Sequence, residues 1–165
     1  NIDLVTPTQY AAQLTQAIPL ARKRGLTIPI VYNCGGYERV ETLRMLDGLI
    51  DIYLPDFKYY SSYYSERYSR APDYFDVTVD AIDEMVRQTA EPVIDADGLM
   101  RSGTIIRFDA AESWLGHGAH SAHHRQALGH RGLCQPDAAV YAVHGFDGLS
   151  GTAAAHHGRS VCRGV

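Results

Sequence analysis

Apolar and polar positions in the first 107 residues fall into blocks that switch between a period of 2 and a period near 3.6, the pattern of strands alternating with helices. Ile2-Asp3-Leu4-Val5 opens as a short strand. Thr6 then offers an N-cap and Pro7 a first helical position where its missing N–H costs nothing. Tyr10, Leu14, Ala17, Ile18 and Ala21 recur at helical spacing, and Gly25 behind Arg22-Lys23-Arg24 makes a stop. Pro19 lies inside that stretch and predicts a kink or an interruption. Ile28–Asn33 reads as the second strand, and Glu38–Leu49 as the second helix with Val40, Leu43 and Leu46 on one face. Ile50–Leu54 is the third strand. Tyr59–Arg70, rich in tyrosine and serine, reads as a partly exposed loop. Pro72 and Asp73 open a third helix that turns Phe75, Val79, Ile82 and Val86 inward. Val93-Ile94 is an extended piece before a turn at Asp95–Gly98, and Thr104–Arg107 is the fourth strand.

Strands and helices in this alternation make right-handed crossovers and a parallel sheet. A closed barrel needs about 200 residues or more, so about four strands give only an arc of one. The expected fold is therefore α/β: about four parallel strands with covering helices over residues 1–107, then an irregular C-terminal tail over 108–165. Asn1 leads directly into a strand, so the chain is expected to begin within a domain.

Within this frame the run Leu49–Lys58 stands out. An apolar segment stops at Pro55 and then presents Asp56 and Lys58. A parallel strand buried on both faces is almost continuously apolar, and ligands in such folds gather at the carboxyl ends of strands. Asp56 and Lys58 are thus candidate site residues, against the plainer reading of a solvated ion pair that contributes little. Asn33-Cys34-Gly35-Gly36 ends the preceding strand; Gly-Gly alone marks a turn, but its place beside Asp56 and Lys58 gives it more weight.

Composition changes the picture at residue 107. All eight histidines lie in His117–His157, and ten of the eleven tyrosines precede Arg107. Up to Arg107 there are 15 acidic and 11 basic residues; beyond it, 4 of each. The tail is dominated by Ala, Gly, His and Arg without a sustained period, and Ala138–Val143 is its one plausible strand. A net charge of −4 supports neither a nucleic-acid nor an anionic-membrane partner. No apolar run of about 18 residues predicts a membrane span. Three scattered cysteines, Cys34, Cys134 and Cys162, suit a reducing cytoplasm better than a disulfide framework.

Four runs carry a specific resemblance: Asn1-Ile2-Asp3-Leu4-Val5-Thr6-Pro7-Thr8-Gln9-Tyr10, Pro29-Ile30-Val31-Tyr32-Asn33-Cys34-Gly35-Gly36-Tyr37-Glu38, Asp51-Ile52-Tyr53-Leu54-Pro55-Asp56-Phe57-Lys58-Tyr59, and Asp97-Gly98-Leu99-Met100. In order and spacing they resemble radical SAM proteins homologous to pyruvate formate-lyase-activating enzyme, almost continuously over residues 1–107. The resemblance implies a partial (β/α)6 barrel of the radical SAM type. It also implies a 4Fe-4S cluster held by three closely spaced cysteines, and S-adenosylmethionine cleaved reductively to a 5′-deoxyadenosyl radical that abstracts hydrogen. The partner it implies is a glycyl-radical enzyme or another protein substrate. Carried over position by position, Asn33, Gly35 and Gly36 match a strand-end loop near the methionyl part of S-adenosylmethionine. Asp56 and Lys58 match an Asp-x-Lys pair at the next strand end, and Arg107 matches a strand-end arginine facing the cofactor or its surroundings.

The departures are as informative. The cluster cysteines and the glycine-rich motif lie upstream in the family and are absent here, so this chain alone is expected to lack catalysis. After Arg107 the family continues with His and an apolar strand, whereas this chain has Phe108-Asp109-Ala110-Ala111. Cys134-Gln135-Pro136-Asp137-Ala138-Ala139-Val140-Tyr141-Ala142-Val143-His144, back-translated and advanced by one nucleotide, can read Ala-Ser-Leu-Met-Arg-Gln-Tyr-Thr-Pro-Phe-Met. That resembles the Ser-Leu-Met-x-Gln-Tyr-x-Pro run expected downstream, so the tail is expected to be out-of-frame translation.

Three other features remain. Cys34 reads as a small packed residue rather than a reactive thiol. Tyr59, Tyr60, Tyr63, Tyr64 and Tyr68 read equally as a docking surface or as cover for the barrel's outer edge. His117, His120, His123 and His124 are spaced like zinc ligands, but nothing around them predicts a rigid site. They nevertheless sustain the rival reading, a non-catalytic βα binding module with a His-rich metal-binding tail.

Overall fold

The structure, a computed structural model, describes residues 1–108 and a strand at 140–142. Among the described residues are six strands: β1 (Ile2–Val5), β2 (Ile30–Cys34), β3 (Ile52–Phe57), β4 (Val93–Ile94), β5 (Met100–Phe108) and β6 (Val140–Ala142). The described residues also form four α-helices: α1 (Ala11–Lys23), α2 (Val40–Arg44), α3 (Ser62–Ser69) and α4 (Tyr74–Thr89). β1, β2, β3 and β5 lie side by side in parallel, with β4 and β6 antiparallel against β5. The fold is α/β with a mostly parallel sheet, in the strand order that sequential crossovers produce.

Period 2 divides each strand between two faces. Ile30, Tyr32 and Cys34 of β2 and Tyr53 of β3 turn toward one side. There they form a buried cluster with Ala11 and Ile18 of α1, Leu43 and Leu46 in and after α2, and Ala81 and Met85 of α4. Phe57 and Ile106 join Ile82 and Val86 of α4 in a second cluster, with Phe75 and Val79 packed against it. All the covering helices that reach these clusters thus sit on one face. Asn33, Leu54, Asp56, Ile105 and Arg107 alternate to the other face.

Four expectations need correction. Thr6 does not cap a helix: its φ is +51°, its Oγ1 donates to Val5 O, and a single 3-10 turn at Thr8–Tyr10 precedes α1. Pro19 does not interrupt α1, which runs through it to Lys23. The carbonyl that Pro19 leaves unbonded belongs to Thr15, a half-buried residue within reach of water. The second helix is shorter than Glu38–Leu49. Glu38 is drawn off to accept a bond from Thr8 Oγ1, and after Arg44 the chain closes in i→i−3 turns through Gly48 at φ +73°. Conversely, Tyr59–Arg70 is not all loop, because α3 forms inside it. There Tyr64 stacks on Tyr68 (ring centroids 6.2 Å apart), Arg67 donates to Tyr63 Oη at 2.9 Å, and both pairs are one helical turn apart. Arg70, in a left-handed conformation, ends it.

No helix among the described residues is long and apolar enough to cross a membrane. In the tail, β6 falls within the expected Ala138–Val143 strand; the histidines and the reading of the tail as out-of-frame lie outside the described residues.

Candidate functional site

Asn33, Asp56 and Arg107 are each the next-to-last residue of their strand, β2, β3 and β5. Parallel pairing puts Asp56 opposite Arg107, and Asn33 opposite Leu54, two residues before Asp56 and so on its face. All three side chains consequently project from the same face at the same end of the sheet.

Arg107 connects them. Its Nε and Nη2 both lie 2.6 Å from Asp56 Oδ1, and Nη2 also donates to Asn33 Oδ1 at 2.7 Å. The other carboxylate oxygen of Asp56 is 3.5 Å from Lys58 Nζ. Asp56 is 23% exposed and Arg107 39%, so the pair keeps solvent access and is not a closed structural bridge. Asn33 Nδ2 makes a longer, 3.4 Å bond to Asp3 Oδ2 of β1. In order of contact the group runs Asp3, Asn33, Arg107, Asp56, Lys58; the last four stand at the ends of β2, β5 and β3, and Asp3, the second residue of β1, lies on the same face two residues farther back. Asp3 was not singled out from sequence, although its strand-interior position in a period-2 pattern, two residues before Val5, placed it on this face.

The two glycines divide. Gly35 has open space where a side chain would project. Gly36, at φ +80°, has none: a Cβ there would strike the backbone carbonyl oxygen of Asp56 and come within 3.0 Å of Thr78 Cγ2. Gly36 thus lets the loop after β2 press on the end of β3, while Gly35 leaves backbone open beside the rim.

Directly behind the rim is a buried polar group. Glu38 Oε1 accepts from Thr8 Oγ1 at 2.5 Å, and burial holds its carboxyl above the usual range. Its Oε2 and the hydroxyl of Tyr32 are both buried without a hydrogen-bond partner. Cys34, on the helix side, is buried in the apolar cluster, and burial pushes its thiol up to about 12. It is a packed core residue. Tyr59 and Tyr60 pack edge-on against Tyr74 and Phe75, whereas Tyr63 and Tyr68 stand exposed on α3. No group of three or more His, Cys, Asp or Glu suited to a metal ion occurs among the described residues.

No protein-family model matches the chain, and no solved structure matches it. An uncharacterized protein of Methanocaldococcus jannaschii is 34% identical over 79 residues, 47% of this chain. The match covers 22% of that protein's length.

Proposed function

We propose that this rim is the methionyl-binding side of an S-adenosylmethionine site, in a radical SAM protein of the glycyl-radical-activating type built on a partial (β/α) barrel. The observation that carries the reading is the convergence of Asn33, Asp56, Lys58 and Arg107, picked out by resemblance, on one end of one sheet face through bonds of 2.6 to 3.5 Å. The unreversed order of the parallel strands, with helices on one face, supports the barrel arc.

The donor set suits the ligand. Two carboxylates, Asp3 and Asp56, and two cations, Lys58 and Arg107, alternate along the chain of contacts. Such a row can meet the ammonium and the carboxylate of one zwitterion at the same time, with guanidinium and ammonium as carboxylate partners. Asn33 supplies both a donor and an acceptor, and the open backbone at Gly35 allows close approach. A 4Fe-4S cluster does not fit the described residues. Such ligation needs several thiolates, and the cysteine among them, Cys34, is a buried thiol facing the helices. In the family that this chain resembles, S-adenosylmethionine bound at such a cluster supplies a radical for hydrogen abstraction from a protein glycine. This chain's own share is to bind and orient the zwitterion. By itself it binds without turnover, and its partner is a glycyl-radical enzyme or another protein substrate.

Titrating S-adenosylhomocysteine, which keeps the aminocarboxylate and lacks the sulfonium methyl, into the isotopically labelled chain tests the reading by NMR. Saturable shifts at Asn33 Nδ2 and Arg107 Nε, lost in Asp56→Ala, are expected. The absence of any saturable shift up to about 10 mM, where even a site worth only about 3 kcal/mol would register, overturns it.

A further inference from the structure

One buried phenol oxygen lies behind the two strand ends that carry most of the rim. Tyr74, the first residue of α4, is 4% exposed. Its hydroxyl accepts the Lys58 backbone N–H at 3.0 Å. The same oxygen lies 3.0 Å from Gly35 O and 3.2 Å from Asp56 O, so its one proton is shared between those carbonyls. The loop after β2 and the end of β3 are thus held to a single atom. The ring has little freedom to move. It stacks on Tyr37 at 5.7 Å and 9°, and meets Phe57 and Tyr59 edge-on. Burial pushes the Tyr74 phenol up to about 12, so it keeps the proton it donates. Gly36 presses on the same Asp56 carbonyl from the neighbouring loop.

We infer that Tyr74 is a positioning residue for the rim. Its hydroxyl fixes the spacing between the ends of β2 and β3, and so holds the Asp56 carboxylate where Arg107 bridges it to Asn33. The chain of contact is short: Tyr74 Oη to the Asp56 backbone, Asp56 Oδ1 to Arg107 Nε at 2.6 Å, and Arg107 Nη2 to Asn33 Oδ1 at 2.7 Å. Tyr74 lies in the helical layer on the far side of β3 from the ligand face, so it acts through these residues and not by touch. The inference rests on the reading of the rim as a binding site, and it can be judged separately from that reading.

Tyr74→Phe in the full chain removes the hydroxyl and keeps the ring. Tyr53→Phe is the matched control: Tyr53 is fully buried on β3, and its hydroxyl bonds Gln88 at 2.6 Å on the helix side. Tyr74→Phe is expected to shift or broaden the Arg107 Nε–H resonance and to weaken S-adenosylhomocysteine binding about five- to tenfold, the effect of one hydrogen bond. Tyr53→Phe is expected to lower the unfolding midpoint comparably while leaving the Arg107 resonance in place. An unchanged Arg107 Nε–H signal in Tyr74→Phe, or an equal change in Tyr53→Phe, overturns the inference. In the unsubstituted chain the Tyr74 hydroxyl proton is expected to exchange slowly with water, and fast exchange there overturns it without any substitution. If the chain shows no saturable ligand binding, the functional reading falls, while the Arg107 signal still decides the role of Tyr74.

Discussion

The glycines at the rim give a test in which backbone strain and steric conflict separate. At Gly36 both apply. An L-residue at φ +80° costs about 1–2 kcal/mol. The added methyl also drives the Asp56 carbonyl oxygen back by about 1 Å, an overpacking cost of about 1–3 kcal/mol. That carbonyl is held by Tyr74, so the strand end cannot yield freely. Gly36→Ala is thus expected to lose about 2–5 kcal/mol. Gly48 shares the left-handed conformation, at φ +73°, but has nothing within 4 Å of an added Cβ, so Gly48→Ala isolates the backbone cost at about 1–2 kcal/mol. Gly35 has neither the positive φ nor a neighbour, and Gly35→Ala should be neutral or stabilising by up to about 0.5–1 kcal/mol through the unfolded chain. Urea unfolding of the three variants against the parent measures all of this, provided the slope with denaturant stays constant. A Gly36→Ala loss no larger than that of Gly48→Ala would refute the close approach of the two strand ends.

Two further expectations concern pH. Glu84 accepts bonds from Arg87 Nε and Nη2 and from Gln88 Nε2, and the Arg87 bond first of all holds its carboxyl down at about 2. Its folded value lies below its unfolded one, so the stabilisation is present above about pH 4.5 and is lost as pH falls toward 2; allowing for the half-exposed Arg87, it is about 2–3 kcal/mol. Glu84→Gln should flatten the acid limb of stability between pH 5 and 2, and an unchanged limb counts against the network that ties α4 to Asp47 and Leu43. Glu38 runs the other way. Burial raises its folded value, so the folded chain holds a proton that the unfolded chain has lost, and stability falls as pH rises through the acid range. Glu38→Gln should therefore be more favourable relative to the parent at pH 8 than at pH 5; the opposite ordering, by chemical denaturation at the two pH values, would refute the upward shift that burial gives its carboxyl.

Much of this arrangement was readable in the amino-acid order, because the relevant physics is local. The apolar run that stops at Pro55 placed Asp56 and Lys58 near the carboxyl end of β3, although the strand itself continues through Pro55 to Phe57. Phe75, Val79, Ile82 and Val86 predicted the inward face of α4, and Arg107 was placed at a strand end. Local rules failed where a distant group competed. Thr8 and Glu38, 30 residues apart, bond each other, so Glu38 is held outside the helix that its sequence position was expected to open. The helix at Ser62–Ser69 depends on tyrosine pairs that a loop-like composition concealed.

What the sequence determined by itself is which residues stand at the ends of parallel strands, since alternation along a strand and the punctuation of Gly and Pro are properties of neighbouring residues. What only the tertiary structure decided is that Asn33, Asp56 and Arg107 share one face and one bond network, with Asp3 added and Gly36 and Tyr74 acting from behind. Those facts depend on strand register and on contacts between residues up to 74 positions apart. A one-residue slip in pairing would turn the rim to the opposite face with no change in any local pattern.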